Sequence, residues 1–162
     1  MRARPRPARR TVVATALLLL GAVGVGGCAD PATPRTPEKA GTGQERDELA
    51  PLLDRIPALA GATDATWFSG SLGSRDVPGP SLNWIDAVVT LPAGAADELR
   101  ATLDLAPATQ APDVVDDLDP ALPDGDLLTG EDLDAAFSAG AWDTTAFLSA
   151  SGDELVLVIV GE

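Results

Sequence analysis

Leu155-Val156-Leu157-Val158-Ile159-Val160 is a run of six consecutive apolar residues, and its reading decides the fold. Successive side chains of a strand point to opposite faces. A run that is apolar at every position therefore needs cover on both faces, which predicts a strand interior to a sheet. Just upstream, Trp142–Ala150 reads as a second strand. Between the two, Ser151-Gly152-Asp153 reads as a tight turn, with Gly152-Asp153 suited to a two-residue loop that has glycine first. The apolar run ends two residues before Glu162, which places this end of the sequence within the fold.

Working outward, Leu82 to Leu91 predicts another strand. Ile85, Ala87, Val89 and Leu91 share one face; Leu82, Trp84 and Val88 share the other, with Asp86 among them. Thr66-Trp67-Phe68 reads as a strand bounded by Gly70, Gly73 and the Val77-Pro78-Gly79-Pro80 turn. Residues 45–60 carry Leu49, Leu52, Leu53, Ile56, Leu59 and Ala60 at helical spacing. Pro51 suits a first-turn position and Pro57 ends or kinks the element, so a short, broken helix is expected. Residues 94–104 form a second amphipathic helix, with Asp97 and Glu98 in its first turn. Residues 106–128, rich in Pro and Asp, read as an ordered loop. Thr129 then caps a helix carrying Leu133, Ala136 and Phe137. The order α-β-β-α-α-β-β predicts an α+β fold: an antiparallel sheet of about four strands with helices packed on one face.

The other end of the chain speaks to location. Arg2, Arg4, Arg6, Arg9 and Arg10 precede an apolar run from Val12 to Val25, followed by Val25-Gly26-Gly27-Cys28. This is the basic, apolar and small-residue pattern of a secretory signal. The run is too short, and too broken by Gly21, Gly24, Gly26 and Gly27, for the about 20 apolar residues of a membrane span. Ending on cysteine, it resembles the lipobox of bacterial lipoproteins. That resemblance implies a signal peptide at residues 1–27, removal of that segment, and lipidation of Cys28 as the mature N-terminus. Acyl chains stabilise membrane attachment by roughly 0.8 kcal/mol per buried methylene, so two or three chains anchor durably. Residues 28–44, with Pro31, Pro34 and Pro37 and little to bury, read as a flexible linker spanning roughly 20–25 Å. Residues 45–162 are expected to form a single small domain.

Composition narrows the chemistry. Five of the eleven Lys and Arg lie in residues 1–27, while all 25 Asp and Glu lie beyond them. The mature chain would thus carry six cations against 25 anions, a formal charge of −19. Such a chain repels nucleic acid and anionic headgroups. The acidity reads as solubility or as attraction to a cation or basic partner. The chain has no His, one Lys (Lys39) and one Cys (Cys28). Triads built on His, Cys–His pairs and His-based zinc sites are excluded within the chain. A Ser–Lys pair would need Lys39, which falls in the linker. Carboxylate pairs, as in glycoside hydrolysis, remain as an alternative.

No catalytic, cofactor or metal residue is assigned. Asp113, Asp116, Asp117, Asp119, Asp124, Asp126, Glu131, Asp132 and Asp134 crowd residues 113–134, where calcium would be sought. Setting Gly125 at the invariant glycine of an EF-hand loop puts Pro120 and Leu122 at ligand positions, so that motif fails. Trp67, Trp84 and Trp142 read as core, with sugar stacking as the alternative.

The stretch Val77-Pro78-Gly79-Pro80-Ser81-Leu82-Asn83-Trp84-Ile85-Asp86-Ala87, flanked by the first helix and the Trp142–Val160 hairpin, resembles small lipoproteins and secreted proteins of GC-rich Gram-positive bacteria. The resemblance implies the outer face of the cytoplasmic membrane and brings no activity with it. The expected function is a lipid-anchored, non-enzymatic accessory or binding protein that contacts the membrane through Cys28 and another envelope protein through its domain. The alternatives are a carboxylate-dependent hydrolase of envelope glycans and a cation-binding lipoprotein.

Overall fold

The run Leu155–Val160 lies in strand β7 (Glu154–Gly161), the middle member of a seven-stranded antiparallel sheet. The computed structural model describes residues 39–40, 43–73 and 82–162. The sheet order is β1-β2-β3-β7-β6-β5-β4, with β1 Lys39–Ala40, β2 Asp64–Leu72, β3 Asn83–Thr90, β4 Ala106–Pro107, β5 Leu127–Thr129 and β6 Trp142–Ser149. β7 pairs with β3 from Glu154↔Thr90 to Gly161↔Asn83, and with β6 from Leu155↔Leu148 to Gly161↔Trp142. Leu155, Val156, Leu157 and Ile159 are buried, while Val158 and Val160 are half-buried. With a partner on each side, β7 has no free edge to offer another chain.

The expectation of about four strands with helices on one face is wrong: the sheet has seven strands, and the architecture is mostly β. β1, β4 and β5 are two or three residues long, too short to show any alternation. Lys39 and Ala40, inside the stretch expected as linker, pair with Leu72 and Ser71. Arg46 extends this edge through a two-way backbone exchange with Trp67. On the far edge, Pro107 in β4 has no N–H to offer, so both rims of the sheet are short or blunted against edge pairing.

The helices are short: α1 Ala50–Leu53, α2 Ala95–Thr102 and α3 Glu131–Phe137. Leu52, Ala96, Leu133 and Phe137 from them, with Ile56 and Leu59, pack on one face against Trp67, Ile85, Ala87, Leu155, Leu157 and Ile159. The opposite face is closed by the Pro- and Asp-rich segment instead. A 3-10 turn at Asp116–Ala121 places Leu118 at zero exposure against Phe68, Trp84, Val88, Phe147 and Val156. The expected loop over 106–128 is therefore the second layer of the core, and it contributes β4 and part of β5.

Two local expectations are also corrected. The β6–β7 connection is four residues, Ala150–Asp153, not a two-residue turn. Arg100 of α2 holds it, its Nη1 donating to the carbonyls of Ser149 at 2.7 Å and Gly152 at 2.9 Å. Thr129 does not cap α3; it belongs to β5 and its hydroxyl donates to the Ala146 carbonyl. α3 begins after Gly130 and covers the open edge of β6. The Asp134 carboxylate accepts the Ala146 N–H at 2.8 Å, and the Ser138 hydroxyl oxygen accepts the Thr144 N–H at 2.9 Å. Buried backbone donors need such partners.

Candidate functional site

Two polar arrangements stand out, one on each face of the sheet. On the face closed by the 3-10 turn, Asp86 sits mid-strand in β3 at zero exposure. A buried carboxylate is costly unless paired and hydrogen-bonded. Lys39 Nζ supplies the pair, donating to Oδ1 at 2.8 Å and Oδ2 at 2.7 Å, and the Val115 N–H donates to Oδ2 at 2.9 Å. To get there, the Lys39 side chain passes from the edge strand over the Trp84 ring, with Nζ 5.7 Å from its centroid. Nζ also donates to the Asp113 carbonyl. Burial pushes the Asp86 carboxyl above its ordinary 3.8. The Lys39 hydrogen bond and charge and the Val115 N–H pull it back, and the Asp113 charge adds a push upward. Asp86 is closed off from solvent while Lys39 stays partly exposed, and the pair joins the edge, the interior and the covering segment of the fold.

On the helix-bearing face, a recess of about 320 Å³ opens where β2, β3 and β6 meet the segment before α1 and the turn after it. Arg46, Arg55, Ser69, Asn83, Trp142 and Glu162 are among its lining residues. The Arg46 guanidinium lies over the Trp67 ring at 4.8 Å and that of Arg55 over the Trp142 ring at 5.5 Å. Each tryptophan is itself fixed. Trp67 is 2% exposed, and its indole N–H donates to the Glu48 carbonyl at 3.1 Å. Trp142 lies across from its register partner Gly161, where an added Cβ would stand 2.5 Å from the ring. Arg55 Nη1 donates to the Pro51 carbonyl at 2.7 Å, which leaves the rest of its fork available.

Charge distribution sets this recess apart. The cationic side chains among the described residues are Lys39, Arg46, Arg55 and Arg100. Lys39 pairs with Asp86 and Arg100 with Asp97. Arg46 and Arg55 have no carboxylate partner among the described residues, although the chain holds 25 acidic groups. Both line the one recess. A separate recess of about 210 Å³, lined by Leu91, Pro92, Leu99 and Phe137 together with Glu98 and Thr102, has no cation in its lining.

Cys28, the expected lipidation site, and the signal at residues 1–27 lie outside the described residues, as does the Val77-Pro78-Gly79-Pro80 turn. In residues 113–134 the carboxylates of Asp113, Asp116, Asp117, Asp119, Asp124, Asp126, Glu131 and Asp132 are exposed; Asp134 is half-buried and holds the β6 edge. Among the described residues, no three metal-ligating side chains come together. Trp67 and Trp84 are core residues and Trp142 is half-buried, so they form no exposed row. The sequence carried a signal for the ion pair: a lone Asp on an apolar strand face, and a single Lys. For the recess it showed only the tryptophans, because Arg46 and Arg55 converge on them only through the sheet. Comparisons with family models, with curated proteins and with solved structures each find no match, so the functional reading rests on the chemistry of these residues.

Proposed function

We propose that this chain is a lipid-anchored extracytoplasmic binding domain with no catalytic activity of its own, held to the membrane through Cys28. The observation that carries the reading is the Arg46–Arg55 recess. It presents two arginines with no carboxylate partner among the described residues, each ordered on a tryptophan, in a domain otherwise dominated by acids. Binding sites combine an apolar wall with a few fixed polar groups, and this recess has both. The hydrolase reading would draw on a buried carboxylate facing a cleft. Asp86 is the only carboxylate buried at zero exposure among the described residues, and it is already engaged by Lys39 and Val115.

Fractionation and crosslinking of the full-length protein in intact membranes tests the proposal. The expected result is a membrane-bound, fatty-acylated protein that yields a discrete crosslinked species. Cys28→Ser is expected to abolish the fatty-acid label and to release the protein or leave an uncleaved precursor. A Cys28→Ser protein that stays processed, membrane-bound and equally labelled would overturn the anchor. Turnover of envelope glycans by the purified protein would replace binding with hydrolysis.

A further inference from the structure

We propose that the recess between Arg46 and Arg55 binds a small oxyanion-bearing molecule, which presents a phosphate or carboxylate group to the two guanidiniums. This rests on reading the domain as a binding module and names the class of its ligand. Guanidinium forks match the planar spacing of carboxylate and phosphate oxygens. Neither fork is taken by a carboxylate of the described chain, and both border the same space. Stacking on Trp67 and Trp142 orders the two side chains before any ligand arrives, which lowers the entropy cost of binding. Ser69 and Asn83 add neutral hydrogen-bonding groups to the wall.

Size and long-range charge select against larger anions. A volume of about 320 Å³ suits a small organic molecule and not a polymer segment. The chain as a whole carries a formal charge of −14, so a polyanion is repelled over its length, whereas a single oxyanion group meets mainly the local field. Glu162 lies exposed at the rim of the recess and opposes an anion there. This gives the site an internal control, because removing that charge changes affinity in the direction opposite to removing an arginine.

The test titrates the full-length protein in detergent micelles with inorganic phosphate and, separately, malonate. Ionic strength is held constant with sodium chloride, and the indole N–H resonances of Trp67 and Trp142 are followed. Saturable shifts are expected with at least one probe. Arg46→Gln and Arg55→Gln are each expected to weaken binding roughly tenfold or more. Arg46→Lys, which keeps the charge and loses the fork, falls between. Glu162→Gln is expected to tighten binding roughly two- to fivefold, an effect that loss of folding cannot imitate. Response to phosphate alone identifies a phosphoryl group, response to malonate alone a carboxylate, and response to both the shared chemistry. The proposal fails if neither probe saturates, if chloride reproduces the shifts, or if the arginine variants bind as the parent does. If it fails while membrane crosslinking still captures a discrete species, the binding-domain reading survives with its contact elsewhere. If both fail, that reading falls too.

Discussion

Lys39 and Asp86, 47 positions apart, close a two-pronged ion pair of 2.7 and 2.8 Å that ties the first strand of the sheet to an interior one. Lys39 is the only lysine in the chain, and its side chain is 18% exposed while that of Asp86 is fully buried. In a domain with so few cations, this one neutralises the carboxylate least able to reach water.

Lys39→Met is expected to produce a pH-dependent loss of stability. A carboxyl whose folded pKa lies above its unfolded value of 3.8 favours folding in its protonated form. The stability tied to that proton is fully present below about pH 3.8 and is lost as pH rises through the folded value. Lys39 opposes this rise, so removing it pushes the folded value higher. Breaking a buried pair from one side costs about 3–5 kcal/mol. Denaturation between pH 4 and pH 8 is expected to show the variant near parental stability at the acid end and far below it at neutral pH. Adding Asp86→Asn to Lys39→Met is expected to remove that extra pH dependence. A deficit constant across the range would mean that Lys39 acts by packing alone.

Gly161→Ala and Gly70→Ala probe the seats of two tryptophans. An added Cβ would approach the Trp142 ring to 2.5 Å at Gly161 and Trp84 to 2.7 Å at Gly70. Overpacking of this kind costs about 1–3 kcal/mol. Thermal melts are expected to show both losses. Only Gly161→Ala is expected to alter the near-ultraviolet signature of Trp142 and to disturb Arg55, which stacks on it. Parental melting of both variants would show that the rings have room to move.

Leu157→Ala tests the interior position of β7. Leu157 is fully buried and faces Ala87 on one side and Ala146 on the other. Truncating a buried leucine costs about 2–5 kcal/mol, a large share of the about 5–15 kcal/mol that holds a domain. Deleting residues 155–162 removes the shared partner of β3 and β6 and is expected to prevent folding. A cooperative melt in the truncated protein would contradict the observed pairing.

The elements legible in the sequence were those whose signal is local. The β6–β7 pair follows from six apolar residues in a row, α2 from the amphipathic pattern of residues 94–104, and α3 from the spacing of Leu133, Ala136 and Phe137. What was not legible depends on residues far apart. β1, β4 and β5 are strands only because a longer neighbour pairs with them, so two or three residues carry no period of their own. The Pro-rich segment through Leu118 looked like loop because its burial comes from the opposite sheet face and not from its own repeat. Of the recess, the sequence showed the tryptophans but not the arginines that stack on them, since Arg46 and Trp67 meet through the register of an edge strand.

On the proposed reading, the domain works by binding through the Arg46–Arg55 recess. The most direct measurement replaces the exposed rim residue Glu162 with a photoreactive amino acid in the full-length, membrane-anchored protein. After irradiation of intact membranes, the mass of the whole protein is read. The expected result is a discrete adduct whose yield falls sharply with Arg46→Gln or Arg55→Gln. An adduct of the same mass and yield with both arginines replaced, or no adduct at all, would contradict it.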